Sequence, residues 1–508
     1  MHTRTLRLSA GMLILWGEML WGQISIGPYV QRTTPDRATV IWYTATPTSG
    51  SIRYGASSGE WLGAVEVTAG TVHAAEITGL QPDTKYFYEV SNGATVFATG
   101  PDYYFTTHPP VGSRLPFSFL AAGDLGDGSS TQKAVAARMM QERPNHKFAL
   151  LLGDIVYGDG LRSEYLQDYF PVYKDLIRHF CFWPTLGNHD VDEDEGTADA
   201  YFEFFYTPTN NPCGVENYYS FDYANAHLVS MDDELLISGA ALTNQLNWVK
   251  SDLADAKRRG LRWLIVMFHK PPYTNGTHED EPLTKNNFVP VLEAAGVDLV
   301  LCGHSHVAER SFLLNNHQIV NTDLRNYPKD GVVPGTVYVV SGSGGKSGSI
   351  NGPHPLLAFQ QGKLAGFEII YIHGDTLRGK FMKSDGAVID NFTITKKGDT
   401  SSIETPSTSE PPKLFAWHYP NPFRVATSDE ELRIVFEISL TLPVQAVVFD
   451  VVGRVVTRLR QGEIFPAGRH ELRWNGRNAD GQRVPTGLYF YQLQAGAQTQ
   501  TAKVLVIP

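Results

Sequence analysis

The chain has 508 residues and a formal charge of −11, room for roughly three domains of ordinary size. A hydrophobic content of 42% with 47 glycines and 30 prolines fits a folded, strand-rich chain rather than a disordered one. The negative charge disfavours broad binding to nucleic acid or to anionic membrane. Three cysteines, Cys181, Cys213 and Cys302, make no disulfide framework, and no apolar run reaches the ~18 residues of a transmembrane helix.

Arg4 and Arg7 precede an apolar stretch from Leu8 to Leu20, the order of a signal peptide, expected over 1–22 and pointing to a secreted or cell-surface protein. Residues 23–108 then read as short alternating strands, such as Ala38–Tyr43 and Lys85–Val90, divided by turn residues, which predicts a β-sandwich. The segment Gly79-Leu-Gln-Pro-Asp-Thr-Lys-Tyr86 resembles the corner of a fibronectin type III domain, in which a tyrosine hydroxyl bonds back to nearby backbone while its ring joins the core.

From 115 to 396 strand, turn and helix alternate. Phe117–Ala122, Phe148–Leu152, Trp263–Phe268 and Val297–Cys302 are continuous apolar runs, with a helix expected over Thr131–Gln141. Apolar strands that end in polar loops predict an α/β fold with covered sheets. A Ser, Thr and Pro-rich linker follows at 397–412, too polar to build a core. Residues 413–508 return to strands in Leu432–Ile438, Ala446–Val452 and Gly487–Leu493, a second small sandwich.

Five motifs sit at strand ends: Gly123-Asp-Leu-Gly126, Gly153-Asp-Ile-Val-Tyr157, Gly187-Asn-His-Asp190, Val266-Met-Phe-His269 and Gly303-His-Ser-His306. Carboxylate, phenolate, amide and imidazole all donate lone pairs to di- or trivalent ions, and the glycines permit the sharp turns that bring separate strands together. In this order the motifs resemble those of the metallophosphoesterases. Gly126, where the broader family has a histidine, together with Tyr157, three residues after Asp154, is similar to the purple acid phosphatase branch.

That resemblance implies a four-layer core of two mixed sheets flanked by helices. It implies one ion held by Asp124, Tyr157 and His306, a second held by Asn188, His269 and His304, and Asp154 bridging both. The cofactor so implied is a dinuclear centre of Fe(III) with Zn(II), Mn(II) or Fe(II), the phenolate favouring the trivalent iron. Hydroxide on the metals would attack a small phosphate monoester, with His189 as the group facing phosphate and leaving oxygen. His278 is the candidate for a further substrate histidine. Asp190 reads as a supporting residue, and the acidic run Asp192–Glu195 as a solvated loop.

Ser341-Gly-Ser-Gly-Gly-Lys-Ser347 lacks the first glycine of a nucleotide-binding loop and reads as a glycine turn. Cys302 reads as a buried, inert thiol. In the tail, Tyr419-Pro-Asn-Pro-Phe423, Val452-Gly-Arg-Val-Val456 and Trp474-Asn-Gly-Arg-Asn-Ala-Asp-Gly481 resemble the C-terminal sorting domains of the type IX secretion route, implying an outer-membrane secretion machinery as partner. Two further readings stay open: a phosphodiesterase or nucleotidase on the same metals, and a surface-binding protein in which the sandwiches carry the function.

Overall fold

The computed structural model describes residues 24–329, 334–396, 414–419, 421–425, 431–438, 442–465, 468–496 and 498–507. The expected signal peptide at 1–22 and linker at 397–412 lie outside the described residues.

The N-terminal sandwich comprises β1 (Ile24–Gln31), β2 (Arg37–Gly55), β3 (Gly63–Thr78), β4 (Lys85–Ser91), β5 (Val96–Ala98) and β6 (Tyr104–Thr106), with antiparallel pairing throughout. Trp42, Ile52, Ile77, Tyr88 and Phe105 fill its core, as alternation along the strands requires. The tyrosine corner is present: the Tyr86 hydroxyl accepts from the Gln81 N–H at 2.9 Å while its ring is buried.

This sandwich is not a detached module. Ile26, Tyr29, Ile41 and Tyr43 share one apolar cluster with Leu151, Phe170 and Phe204 of the following domain. Tyr29 and Tyr43 donate to the carbonyls of Phe204 and Glu203 at 3.0 and 2.9 Å, and the Tyr206 N–H donates to the Gln31 side chain at 2.6 Å. These bonds satisfy buried polar groups where two domains meet.

The central region contains β7 (Phe117–Ala122), β8 (Ala149–Leu152), β9 (Phe182–Thr185), β10 (Tyr219–Tyr223), β11 (Ala226–Ser230), β12 (Trp263–Met267), β13 (Leu299–Cys302), β14 (Ala308–Ser311), β15 (Leu313–Asn315), β16 (Gln318–Asn321), β17 (Asn326–Lys329), β18 (Val337–Ser341), β19 (Leu357–Gln361), β20 (Gly366–His373), β21 (Thr376–Lys383) and β22 (Val388–Lys396). Two seven-stranded mixed sheets result, ordered β17-β22-β21-β20-β7-β8-β9 and β10-β11-β12-β13-β18-β14-β19. β7, β8 and β9 run parallel in the first, and β11, β12, β13 and β18 in the second.

Phe119, Leu150, Trp183, Ile265, Leu301 and Ile370 form the core between the sheets. Helices Ser130–Glu142 and Phe170–Ile177 cover the outer face of the first through Val135, Met139 and Tyr173, and helix Gly239–Arg258 covers the second through Trp248, Val249 and Leu253. With both faces covered, β8, β12 and β13 are continuous apolar runs, whereas β7, β9, β11 and β18 each include a buried polar residue. The four layers are those of the expected fold.

The C-terminal unit pairs Leu414–Tyr419, Leu432–Ile438 and Gly468–Trp474 in one sheet. Phe423–Arg424, Leu442–Asp450, Val455–Phe465, Gly487–Ala495 and Gln498–Ile507 form the other. Its core holds Phe436, Ala446, Val448, Trp474 and Tyr491.

Candidate metal centre

Parallel strands present their C-terminal ends at one edge, which is where open α/β sheets build sites. Asp124 lies two residues beyond β7, Asp154 two beyond β8, Asn188 three beyond β9, His269 two beyond β12 and His304 two beyond β13. The loops are tied by backbone bonds: the Asp124 N–H donates to the Gly153 carbonyl at 3.0 Å and the Leu125 N–H to that of Asp154 at 2.9 Å. Likewise the Gly303 N–H donates to the His269 carbonyl at 3.0 Å.

Three of the candidate ligands adopt left-handed backbone: Asp124 at φ +55°, Asp154 at +50° and His304 at +65°. Such conformations cost roughly 1–3 kcal/mol each and cluster at functional sites. The motif glycines admit the close approach, since a Cβ on Gly187 would lie 2.3 Å from an Asp154 carboxylate oxygen and one on Gly153 would lie 2.4 Å from the His269 ring.

The seven side chains fall into two adjoining groups. In one, the Tyr157 hydroxyl donates to Asp124 Oδ1 at 2.9 Å and lies 3.0 Å from His306 Nε2, itself 3.3 Å from Asp124 Oδ1. In the other, His269 Nε2 lies 3.2 Å from Asn188 Oδ1, from His304 Nδ1 and from Asp154 Oδ1. Ligand atoms of Asp154, His269 and His304 all fall within 4.8 Å of one another.

This geometry calls for positive charge. His269 Nδ1 donates to the Leu152 carbonyl at 2.8 Å, so Nε2 carries the ring's lone pair and faces two oxygens that are also acceptors. A proton or a cation must sit among them. Asp124 is fully buried, and its Oδ2 has no hydrogen-bond partner among the described residues, a costly arrangement unless an ion completes it. Burial and the carboxylates of Asp124 and Asp154 push the Tyr157 phenol far above its ordinary value, so phenolate there also needs neighbouring cations. Burial and the nearby His269 push His304 down to about 2, leaving its ring neutral, the form that donates lone pairs. The residues fit a pair of metal ions.

At Gly126, φ is +111° and Gly345 Cα lies 3.3 Å from where a Cβ would be. A side chain is doubly disfavoured there, and the Tyr157 hydroxyl lies beside Asp124 instead.

Supporting groups fix the loops. The buried Asp190 carboxylate accepts from the N–H groups of Ile155 and Gly187 at 3.0 and 2.9 Å and from the Tyr165 hydroxyl at 2.8 Å. It thereby links the loops that carry Asp154 and Asn188, and burial with the nearby Asp154 pushes its pKa up to about 7. Asp233, which no sequence motif marks, also supports the site. It accepts from the N–H groups of His269 and Lys270 at 3.0 and 2.6 Å, and burial raises it to about 6. The glycine turn after β18 is more than a turn, since the Gly345 N–H donates to the Asp124 carbonyl at 2.7 Å and Gly344 to that of Gly123 at 3.0 Å.

His189 and His278 both reach the site. His189 Nδ1 donates to the Gly158 carbonyl at 3.0 Å, with its ring 4.7 Å from that of Tyr157, which leaves Nε2 as its available atom. His278 stacks on His304 with ring centres 3.9 Å apart, and Thr277 Oγ1 in the same loop accepts from the His306 N–H at 2.9 Å. Lys346 places its ammonium 4.0 Å from the centre of the Tyr157 ring and pairs with Asp127 at 3.1 Å. Cys302 is buried, its thiol pushed well up by that burial and by Asp233. The Asp192–Glu195 run is mostly exposed, with Asp192 Oδ1 accepting from the backbone of Asp194 and Glu195.

Known families match the chain in three places. The calcineurin-like phosphoesterase family matches residues 117–308, the purple acid phosphatase N-terminal domain 27–107 and the FlgD Ig-like domain 424–500. Purple acid phosphatase 18 of Arabidopsis thaliana is 30% identical over 302 residues, covering 54% of this chain and 64% of that protein. The Fe(3+)-Zn(2+) purple acid phosphatase 12 of the same plant is 28% identical over 294 residues, covering 55% of this chain and 60% of that one. The chain thus spans less than two thirds of the length of these two relatives. In fold it is similar to a purple acid phosphatase from yellow lupin (Lupinus luteus) seeds, with a TM-score of 0.64 at 20% identity, covering 73% of this chain and 74% of that one. Residues 27–107 and 117–308 thus match, in order, a purple acid phosphatase N-terminal domain and a calcineurin-like phosphoesterase domain, and over these segments the chain is similar to purple acid phosphatases.

Proposed function

We propose that the chain hydrolyses phosphate monoesters, with a preference for mildly acidic pH, at a dinuclear centre of Fe(III) with Zn(II), Mn(II) or Fe(II). The observation that carries this is the meeting of two lone-pair-rich groups, one around Tyr157 and one around His269, with the partnerless Asp124 Oδ2 buried beside them. Asp124, Tyr157 and His306 hold the ion that favours the trivalent state, Asn188, His269 and His304 hold the other, and Asp154 serves both. When bound, the two ions supply the Lewis acidity that activates water and neutralises charge on the phosphoryl oxygens.

The chain's own residues do the rest. Leu152, Asp190 and Asp233 hold the ligand loops in place, so little reorganisation accompanies the reaction. With Nδ1 fixed on the Gly158 carbonyl, the His189 imidazolium donates from Nε2 to a phosphate oxygen and to the departing alkoxide. His278, stacked on His304, borders the same space and offers a second imidazole to the substrate.

Metal analysis with a visible spectrum, alongside rates on aryl mono- and diesters, tests this reading. About two metal ions per chain, iron among them, a visible band lost in Tyr157→Phe, and faster monoester than diester hydrolysis are expected. Metal-free, inactive protein overturns it. A colourless protein with two divalent ions and faster diester cleavage turns it into a phosphodiesterase.

The Arg4 to Leu20 pattern and the tail motifs support export, with 413–508 as an address for the type IX secretion machinery. Deleting 413–508 then leaves active protein inside the producing cell. Unchanged release overturns the address.

A further inference from the structure

Between the N-terminal sandwich and the first catalytic sheet lies a cavity of about 220 Å³. Its walls come from Lys85 and Tyr104 on the sandwich, from Arg143, His146 and Lys147 ahead of β8, and from the His179–Cys181 segment ahead of β9. Among the described residues no aspartate or glutamate lines it, in a chain of formal charge −11.

Several of its polar atoms have nothing to bind. Arg143 donates through one terminal nitrogen to the Tyr104 hydroxyl, while its Nε is buried without a partner among the described residues. His146 bonds Ser118 Oγ through Nδ1 at 2.8 Å, and its Nε2 is likewise buried and partnerless, the Glu142 carboxylate being 3.9 Å away. His179 donates from Nδ1 to the Asp102 carbonyl at 3.2 Å and again leaves Nε2 without a partner. The His146 side chain is 7% exposed and His179 8%.

The Lys85 ammonium rests 3.6 Å from the Tyr104 ring centre, and burial with the neighbouring Arg143 lowers its pKa. His179 is pushed down to about 4 by burial and by Arg143 and Arg178, against the opposing pull of Asp102. The Asp102 carboxylate itself pairs with Arg178 at 3.5 Å.

The buried Arg143 Nε–H and the Lys85 ammonium lack acceptors among the described residues, and a charged oxygen is the acceptor that satisfies them best. The neutral rings of His146 and His179, with Nδ1 donating, keep a lone pair at Nε2 that accepts from a ligand hydroxyl. The volume is below the ~300 Å³ at which pockets for drug-sized ligands begin, so the fitting ligand is small. We propose that this cavity binds a small tetrahedral oxyanion of the phosphate type, held by Lys85 from one domain and by Arg143 and Lys147 from the other, with a P–OH of the ligand donating to the His179 Nε2 lone pair. The site is distinct from the candidate metal centre. Lys147 and Cys181 precede β8 and β9, whereas Asp154 and Asn188 follow them, and four residues of strand separate the two ends by roughly 13 Å. Occupancy would fasten the sandwich to the catalytic domain.

Equilibrium dialysis of the full metal-loaded chain against radiolabelled inorganic phosphate tests this. The expected result is two phosphates per chain in the wild type, one of which persists in Asn188→Ala. Arg143→Gln combined with Lys147→Gln should weaken the persisting site at least about tenfold, as loss of charge-assisted bonds implies, while kcat on an aryl phosphate stays within about twofold. Lys147→Gln alone, at an exposed residue, gives the same direction should the double variant fail to fold. Wild-type binding of a single phosphate that vanishes in Asn188→Ala overturns the seam site and leaves the proposed hydrolysis standing. Undiminished binding in the Arg143 and Lys147 variants also overturns it. A phosphate lost only in those variants supports the seam site whether or not the metal centre is active.

Discussion

Strands β8 and β9 deliver Asp154 and Asn188 from their C-terminal ends into a buried cluster of carboxylate, amide and imidazole, while their N-terminal ends begin at a cavity lined by Lys85, Arg143 and Lys147. At one end acceptors crowd together and require cations; at the other cations and donors lack acceptors. A sheet only four residues deep at this point keeps opposite charge demands apart. Formal charge, −11 for the chain, therefore says little about what either end binds, because local geometry sets the sign.

The sharpest way to break this contrast is at Asp154, the residue proposed to serve both ions. Asp154→Ala should lower kcat/KM about a thousandfold or more, several kcal/mol of lost transition-state stabilisation, and should reduce bound metal, read by elemental analysis. Lys147→Gln, at the other end of β8, should change neither. Equal losses in both variants would mean that the two ends act as one site.

His189→Gln asks whether the ligand end also moves protons. Loss of a general acid costs about 10²–10⁴-fold, and the loss should be larger for alkyl phosphates, whose leaving groups need protonation, than for nitrophenyl phosphate. Metal content should be unchanged. An equal loss on both substrates would reduce His189 to phosphate binding.

The five motifs were legible because each is a local event, an apolar strand, a glycine and a lone-pair donor within a few residues. The layers were legible for a similar reason, since β8, β12 and β13, covered on both faces, read as unbroken apolar runs. Asp233 was not legible: it serves His269, 36 residues on, and nothing around it in sequence marks that pairing. Gly344 and Gly345 looked like an ordinary turn because their partners, the carbonyls of Gly123 and Asp124, lie far off in the chain. The seam cavity draws on three separated segments, and its cations carry no motif. The sandwich at 23–108 read as a module of its own, yet Tyr29 and Ile41 share a core with Phe170 and Phe204, a packing that strand alternation alone cannot reveal.

Asp233→Asn sharpens the contrast within the ligand end, between groups that would touch metal and groups that position them. An amide has one acceptor oxygen where two backbone N–H groups now donate. The expected loss is about 10–100-fold in activity or metal affinity, smaller than for Asp154→Ala, with excess metal restoring part of the rate. A loss as deep as that of Asp154→Ala, unrelieved by metal, would place Asp233 among the ligands.

The smallest effect is expected where neither end is involved. His227 in β11 is buried between Asp222 and Asp252, 2.7 Å from the first through Nδ1 and 2.8 Å from the second through Nε2. Both ring nitrogens face carboxylates, so both donate and the ring is charged. Burial opposes that charge, but the two carboxylates outweigh it and raise the His227 pKa. A histidine whose folded pKa is raised contributes stability that is full below its unfolded value of about 6.5 and is lost as pH climbs through the folded value. Asp252→Asn should therefore cost roughly 1.5–3 kcal/mol in denaturant unfolding at about pH 6, and distinctly less at about pH 9. Its kcat should match the wild type, because His227 lies near the N-terminal end of β11 and Asp252 on the helix Gly239–Arg258, and they bond to each other and to Asp222 rather than to the loops at the strands' C-terminal ends. A constant penalty across that pH range would show that His227 is neutral in the fold and that the carboxylates act only as acceptors.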